Sequence, residues 1–250
     1  FISDSFAVCL VIEIIVKGVD KKYKAGIQMN EKKEEILRKK SFWEHLTEIQ
    51  KELLLREARI VRYQAGDSIY SSVRECLGAV FILEGIMRTY LLSDEGKEVT
   101  IYRLREGDCC ILAASCVLSA ITFDVEIEAQ TECAALVIPA GILAAMSREN
   151  VYMDNFMYKE AAKRFSDVVE ALQQMIFLSL TQRVVSFLLD ESAKTGSSSI
   201  AMTHEEIAKI IGSAREAVSR TLKQLAKTGS ISLNRGEIKL ERKESLYQLL

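Results

Sequence analysis

The stretch "GSAREAVSRTLKQLAKTG", residues 212–229, decides the fold of the C-terminal part of the chain. It opens on Ser213, which with Glu216 has the spacing of a capping box, and it closes on a glycine, the residue most typical of a helix end. The stretch therefore predicts one short helix. Guanidinium, carboxylate and hydroxyl groups crowd the first half of that helix.

The residues on either side predict a winged helix-turn-helix. Thr203 and Glu206 form another capping box before "HEEIAKIIG" (204–212), so a first, shorter helix precedes the turn. Ala208, Gly212 and Val218 have the spacing in which a small residue permits close approach, a glycine makes the turn and an apolar residue fixes the second helix. "ISLNRGEIKL" (231–240) then predicts two alternating strands joined by an Asn-Arg-Gly turn.

A helical wheel divides the second helix into two faces, with Val218, Leu222 and Leu225 directed inward. The opposite face carries Arg215, Glu216, Ser219, Arg220 and Lys223. Arginine can donate two hydrogen bonds to guanine and glutamate can accept one from cytosine, so this face suits base recognition. A solvated face with an ordinary Glu216–Arg220 ion pair is the alternative, and the neighbouring turn and hairpin favour DNA binding. The candidate DNA-contacting residues are Thr203, Ser213, Arg215, Glu216, Ser219, Arg220 and Lys223.

In the middle of the chain, the spacing of apolar residues changes from a helical to a strand-like pattern. Short runs rich in Val, Ile, Tyr, Phe and Thr are separated by glycine-containing turns, which predicts an antiparallel barrel or sandwich. These runs are residues 59–63, 67–71, 79–83, 86–92, 99–104, 123–129 and 133–138. Pro139 fits the first turn of a short helix after the last run. Before the runs, residues 30–56 predict a helix with core contacts at Leu37, Leu46, Ile49, Leu53 and Leu54.

No helix breaker occurs from about Ser147 to Met175, which predicts one long helix. Apolar residues recur there at alternating spacings of four and three, as at the a and d positions of a coiled coil. The residues in this pattern are Ala161, Phe165, Val168, Leu172 and Met175. The helix either pairs with a second copy of the chain or packs on its own barrel, and the first interpretation is favoured. Ser179 and Gln182 then form the capping box of the next helix.

Composition sets limits on the function. The 250 residues have a net charge of −2, so no overall bias points to nucleic acid or a membrane surface. Residues 200–250 carry nine Lys or Arg and six Glu, a local excess that suits phosphate contacts. The six cysteines form no CxxC pair, which favours a reducing, cytoplasmic setting. The sequence shows no catalytic triad, metal-ligand cluster or phosphate loop, so we expect no enzyme activity.

The N-terminal stretch has a separate interpretation. "FAVCLVIEIIV" (6–16) is too short to span a membrane, and Glu13 interrupts it. A clean amphipathic pattern begins after Met29. Residues 1–28 are therefore expected to be an added or disordered extension, with the native start at Met29.

Three stretches together are similar to the CRP/FNR family of bacterial transcription regulators, over roughly residues 42–240. They are "FILEGIMRTYLLSDEGKEVTIYRLREGD" (81–108), "SLTQRVVSFLL" (179–189) and "MTHEEIAKIIGSAREAVSRTLKQLAKTGSI" (202–231). The family reads DNA with Arg-Glu-x-Val-x-Arg, present here at 215–220, and Ser219 matches a serine of its FNR branch. The resemblance implies an α+β fold, a homodimer, RNA polymerase as a partner, and a palindromic site with TGTGA or TTGA half-sites about 10 base pairs apart.

The domains implied by the resemblance are a β-roll sensor of the cyclic-nucleotide-binding type (29–146), a dimerisation helix (147–176) and a winged helix-turn-helix (177–250). An effector in the roll would shift the long helix and the hinge near Leu178 and Ser179. The alternative function is a regulatory subunit whose roll binds a small molecule and whose C-terminal domain contacts a protein.

The sensor departs from the family's cyclic-AMP motif. Members that bind cyclic AMP carry Gly-Glu after the "GD" turn and Arg-Ser at the end of the phosphate-binding loop. This chain has Ile111-Leu112 and Phe123-Asp124 there, and an aspartate repels a phosphate. The sequence therefore predicts an unidentified effector and no response to cyclic nucleotides. The candidate effector-pocket residues are Cys109, Cys110, Ile111, Leu112, Cys116, Phe123 and Asp124.

The cysteines and histidines give weak signals for a cofactor. Adjacent residues on a strand point to opposite faces, so Cys109 and Cys110 are poor co-ligands, and buried cysteine as a small apolar residue is the commoner case. His45 and His204 are the two histidines, and His204 follows a helix cap where an exposed position is expected. No cofactor is predicted, and redox, metal or haem sensing remains the less favoured interpretation.

Overall fold

The computed structural model describes residues 30–70, 77–114 and 125–250. The extension predicted at residues 1–28 and the start predicted at Met29 lie outside these ranges. None of the helices in the described part combines the length and the apolar character that crossing a bilayer demands.

Two four-stranded antiparallel sheets form the roll, which confirms the predicted antiparallel architecture. Their strand orders are β1-β8-β3-β6 and β2-β7-β4-β5. The strands are β1 (Arg59–Tyr63), β2 (Ser68–Tyr70), β3 (Gly78–Glu84), β4 (Met87–Leu92), β5 (Glu98–Leu104), β6 (Cys109–Cys110), β7 (Glu126–Ala129) and β8 (Cys133–Pro139). Gly85 joins β3 to β4 at φ +85, where an added Cβ would lie 2.2 Å from the Glu132 carbonyl oxygen, so this turn requires glycine.

The N-terminal segment is not the single helix predicted over residues 30–56. Helix α1 covers residues 30–38, a 3₁₀ turn spans Trp43–His45, and α2 spans Glu48–Glu57. Thr47 starts α2 with a capping box to Gln50, so the chain changes direction between the helices. Leu37, Leu46 and Leu54 are buried as predicted, whereas Leu53 is half-buried and Ile49 is 79% exposed. The new start at Thr47 turns Ile49 to solvent.

The long helix begins later than predicted because Asn150 interrupts the chain. Helix α3 (Ala140–Glu149) ends there and α4 (Val151–Phe177) begins. The Asn150 side chain accepts hydrogen bonds from the amides of Tyr152 and Met153 and donates one to the His45 carbonyl, 2.8 Å away. Pro139 ends β8 and precedes the first residue of α3, one position before the predicted one.

Helix α4 packs on its own roll through one face and exposes apolar residues on another. Ala161 and Val168 pack against the buried clusters of the roll and its helices, and Met175 lies beside Gly212. These three positions of the predicted seam therefore contact the chain itself, and the pairing with a second copy stays a prediction. The stripe on the exposed face consists of Phe165, Val169, Leu172 and Ile176.

The C-terminal part has the predicted winged helix-turn-helix elements. They are α5 (Leu180–Thr195), β9 (Ser199–Ile200), α6 (His204–Ile211), α7 (Arg215–Lys227), β10 (Ile231–Asn234), β11 (Glu237–Leu240) and α8 (Lys243–Tyr247). Strands β10 and β11 form the predicted hairpin, with β9 added at its edge. The capping boxes of Ser179–Gln182 and Thr203–Glu206 are confirmed.

The capping box predicted for Ser213 is wrong. Ala214 is the N-cap of α7 and no side chain caps it. Gly212 ends α6 in the left-handed region at φ 64, and the amide of Ser213 donates to the Ala208 carbonyl at 2.9 Å. Ser213 thus completes the turn after α6, and α7 starts one residue later than the pattern suggested.

Candidate DNA-binding surface

Helix α7 is anchored on one side and free on the other. Val218, Leu222 and Leu225 are buried in the cluster that α5, α6 and the hairpin share, which confirms the predicted inward face. An apolar face of this kind fixes the rotation of the helix and so determines which side chains solvent can reach.

The opposite face presents charged groups to solvent. Arg215, Glu216, Arg220 and Lys223 are all exposed. The alternative ion pair between Glu216 and Arg220 is not formed. Among the described residues, Arg215 is the only one of the four with an oppositely charged partner within 4 Å, the Glu205 carboxylate at 3.9 Å. Because these charges are not neutralised by neighbours on their own helix, they are available to an external partner.

Ser219 belongs to the same face but is tied to the preceding helix. Its hydroxyl lies 3.1 Å from Nδ1 of His204, and both side chains are half-buried. The expectation of an exposed His204 is therefore wrong, because its ring packs against α7. Partial burial, followed by the charges of Arg215 and Lys223, lowers the pKa of His204. No local pattern predicts this contact, since fifteen residues separate the partners.

The remaining candidates lie around the first turn of the two helices. Thr203 is exposed, and its hydroxyl already donates to Glu206 at 2.8 Å within the capping box. Thr203 and Arg215 line a groove of about 260 Å³ with Asn234 and Gly236 of the wing hairpin. The start of α7 and the wing hairpin therefore form one continuous concave surface. Ser213 is half-buried in the turn and does not line this groove.

Arg235 is an exposed residue near this groove that lies outside the helix-turn-helix motif. It occupies the hairpin turn between β10 and β11. Its position at the wing tip is decided by the pairing of Asn234 with Glu237. A guanidinium there adds a positive charge beside the groove. Turn composition identified the hairpin, but only the fold brings its tip next to α7.

The four candidate effector-pocket residues in the described part, Cys109, Cys110, Ile111 and Leu112, are divided between two buried clusters. Cys110 and Leu112 belong to the buried cluster inside the roll, whereas Cys109 and Ile111 belong to the cluster between the roll and its helices. Cys109 and Cys110 lie on one strand, whose successive residues point to opposite faces, and Ile111 and Leu112 continue the alternation. A shared effector pocket stays a prediction. Cys116, Phe123 and Asp124 lie outside the described residues.

The cysteine chemistry follows from this burial. Burial raises the pKa of the Cys110 thiol and raises that of Cys109 well above its ordinary value, so both thiols are protonated at neutral pH. Within residues 30–70, 77–114 and 125–250, no cluster of three His, Cys, Asp or Glu residues could hold a metal ion.

Strand β5 of the roll holds the helix-turn-helix in place. Nζ of Lys209 on α6 lies 3.2 Å from Glu98, and the Thr100 hydroxyl donates to the Lys209 carbonyl at 2.8 Å. Glu98 also accepts from Arg88, which is 2% exposed and pairs with Glu128 as well. Partial burial acts to raise the pKa of Glu98, but hydrogen bonds from Arg88 and Lys209 outweigh it and lower that pKa.

A second contact joins β5 to the first helix of the DNA-binding part. Glu191 on α5 is buried and pairs with Arg103 and with Arg105, whose Nη2 lies 2.9 Å from its carboxylate. Burial acts to raise the pKa of Glu191, and the two guanidinium groups lower it overall. The two domains are therefore connected by ion pairs as well as by the chain.

The combination of an antiparallel roll, a long helix and a winged helix-turn-helix defines a class of DNA-binding regulator with a sensor domain. The family model described as a cyclic nucleotide-binding domain matches residues 60–150, and the model described as a Crp-like helix-turn-helix domain matches residues 182–249. A solved structure of a transcriptional regulator of the Crp/Fnr family from Eubacterium rectale is 36% identical. It superposes with a TM-score of 0.79, covering 83% of this chain and 96% of that one.

Two further similarities are weaker. The cAMP-activated global transcriptional regulator Vfr of Pseudomonas aeruginosa is 25% identical over 188 residues, which cover 71% of this chain and 87% of Vfr. The structure of FixK2 from Bradyrhizobium japonicum is 18% identical and has a TM-score of 0.63 over 77% of this chain and 96% of FixK2. At this identity it supports the fold alone. The chain belongs to the CRP/FNR family and is a DNA-binding transcription regulator of that type.

Proposed function

We propose that the protein acts as a homodimer that reads a palindromic DNA site with two copies of α7. The observation that carries this proposal is the exposed, anchored face of α7, on which Arg215, Glu216 and Arg220 have no partner on their own helix. Arg215 and Arg220 suit guanine, and Glu216 suits cytosine N4. A helix that enters the major groove by its N-terminal half places these side chains at base edges.

Phosphate contacts surround this base-reading face. Lys223 lies further along α7, Thr203 and Ser213 flank the turn, and Arg235 occupies the wing tip. Contacts to phosphates position a protein on the duplex without reading its sequence. Ser219 is more restricted than its neighbours on this face, because its hydrogen bond to His204 limits the directions in which its hydroxyl can reach.

The dimer contact is proposed for the exposed stripe of α4. Phe165, Val169, Leu172 and Ile176 follow one another at spacings of four, three and four residues, as in a coiled-coil seam. Pairing two such helices would cover apolar side chains that otherwise face water. It would also place two recognition helices in successive major grooves, as a palindromic site requires.

Regulation is proposed to come from an effector at the roll that is not a cyclic nucleotide. Vfr is named as activated by cAMP, but this chain has the apolar pair Ile111-Leu112 where cyclic-AMP binders carry Gly-Glu, and both residues are buried. Neither side chain can hydrogen-bond a ribose hydroxyl. A calorimetric titration should show no micromolar binding of cyclic AMP or cyclic GMP, and saturable heat in that range would refute this part. RNA polymerase is proposed as the partner on DNA by analogy with the family.

The experiment that tests the DNA-binding proposal is a selection of bound sequences from a random double-stranded pool with the full chain. A two-fold symmetric motif should emerge, and the double variant Glu216→Ala, Arg220→Ala should lose at least 100-fold in affinity for it, since each base contact contributes about 1–3 kcal/mol. Arg148→Ala is the matched control, because Arg148 is exposed on α3, a helix that packs against α4 and the roll. Unchanged affinity in the double variant would exclude base reading by α7 and leave a protein partner as the target of this surface.

A further inference from the structure

A cleft of about 340 Å³ lies where the roll, α4 and the DNA-binding domain meet. Its walls come from β5, α4, α5 and the end of α6, so it lies outside the interior of the roll. The volume falls within the range of small-molecule sites, about 300–1,000 Å³. The question is what chemistry this cleft would accept.

Three arginines on its walls carry N–H groups without a partner. In the described part of the chain, eight buried side-chain nitrogen or oxygen atoms have no hydrogen-bond partner. Four of them are Nη1 of Arg103, Nε and Nη2 of Arg164, and Nε of Arg183, and all three arginines line this cleft. These nitrogens are buried within the walls, so a ligand would have to draw the side chains into the cleft. Buried donors left unpaired are costly, which favours such a rearrangement toward an acceptor.

The charges around the cleft favour an anion. Six basic and four acidic residues line it, and Glu191, paired with Arg103 and Arg105, adds a fifth carboxylate, so one positive charge is in excess. Arg164 is 3% exposed, pairs with Asp167 at 2.9 Å and has Asp108 at 3.8 Å from its Nη2. Arg103 pairs with Glu191. Arg183 has no carboxylate within 4 Å among the described residues, and its Nη1 donates to the Ile211 carbonyl at 2.9 Å. One guanidinium is thus unneutralised and two others retain free donors.

The geometry points to a small molecule bearing a phosphate group as the ligand of this cleft. Arginine N–H pairs bind phosphate oxygens with charge-assisted hydrogen bonds. The donors approach from three different elements, β5, α4 and α5, and a phosphate group offers several oxygens in different directions, whereas a carboxylate offers two in one plane. A bound phosphate would connect the roll to the first helix of the DNA-binding domain. The inference goes beyond the proposed function, since this site is separate from the roll interior and from α7.

Calorimetric titration of pyrophosphate into the full chain, in a buffer free of phosphate and sulfate, tests the inference. Saturable binding at one site per chain is expected. Arg183→Gln should weaken it at least tenfold. Asp167→Asn should tighten it about three- to tenfold, because it removes the nearer of the two carboxylates that face Arg164. Arg148→Gln is the matched control and should bind as the parent does.

Several outcomes would overturn the inference. They are absence of saturable binding, equal binding of citrate, parent-like binding by Arg183→Gln, or weaker binding by Asp167→Asn. Thermal melts of each variant show that it is folded, and misfolding cannot produce the gain expected for Asp167→Asn. The readout requires no DNA, so this inference and the DNA-binding proposal fail independently.

Discussion

The carboxylate of Glu98 on β5 lies 3.2 Å from Nζ of Lys209 on α6, and the same carboxylate accepts a hydrogen bond of 2.6 Å from the buried Arg88. One side chain of the roll therefore neutralises both a buried guanidinium of its own sheet and a lysine of the helix-turn-helix. In a family whose members couple a sensor to DNA binding, such a residue connects the two parts directly. The two partners of Glu98 differ in exposure, and this difference leads to a first prediction.

Glu98→Gln should destabilise the protein more than Lys209→Met. Lys209 is 41% exposed at its side chain, and an ion pair of that kind contributes about 0–1 kcal/mol. Removing the Glu98 charge also leaves Arg88 with Glu128 as its remaining carboxylate. Breaking a buried pair costs about 3–5 kcal/mol of stability when no partner remains. The loss of stability in Glu98→Gln should therefore lie between these two ranges. Urea unfolding of both variants measures this. A larger loss for Lys209→Met would contradict the assignment.

The contact between the domains should weaken in acid. Glu98 and Glu191 both have pKa values below the ordinary 4.5, through the guanidinium and ammonium groups that face them. A carboxyl with a lower pKa in the folded state contributes stability that is complete above pH 4.5 and is lost as pH falls through the folded pKa. Stability should therefore decline below about pH 4.5, and Glu191→Gln should flatten that decline. A pH series of denaturant midpoints provides the measurement, and an equally steep decline in the variant would count against it.

Leu172→Glu should dissociate the proposed dimer. Leu172 is 54% exposed in the centre of the α4 stripe, and a charge there would face its own copy across the seam. Sedimentation should show a monomer, and affinity for a palindromic site should fall with it. Gln173→Glu, the neighbouring exposed residue, adds the same charge off the stripe and should leave the dimer intact. A dimeric Leu172→Glu protein would place the contact elsewhere.

Cys109, Cys110 and Cys133 should resist alkylation in the native protein. All three are buried, and burial raises the pKa of the Cys109 and Cys110 thiols, so little thiolate is available to react. Mass spectrometry after iodoacetamide treatment should find them unmodified until denaturant is added. Rapid native labelling of Cys110 would instead support a redox-sensing role.

Local patterns were sufficient for much of the fold. Glycine turns and β-branched runs predicted the antiparallel strands, and two capping boxes predicted the starts of α5 and α6. The inward residues of α7 followed from helical spacing alone. Each of these features depends on neighbours within about one turn or one hairpin, and such information is contained in the sequence itself.

Local patterns misled at the helix boundaries. Ser213 and Glu216 have capping-box spacing, yet the N-cap of α7 is Ala214 and the helix starts at Arg215, because Ser213 completes the turn after α6. Asn150 interrupts a stretch that contains no evident breaker, since its side chain bonds both to the next helix and to the carbonyl of His45, 105 residues away. Boundaries of this kind depend on partners that a window of sequence does not include.

The α4 helix shows most clearly what the sequence determined and what the tertiary structure decided. The sequence determined a long helix with apolar residues at spacings of four and three, but it contains two such series that share Phe165 and Leu172. One series runs through Val168 and Met175 and packs on the chain itself, and the other runs through Val169 and Ile176 and is exposed. Periodicity is the same for both, so only the position of the roll against the helix could choose between them. The Glu98–Lys209 pair was invisible for the same reason, because 111 residues separate two charges that only folding brings together.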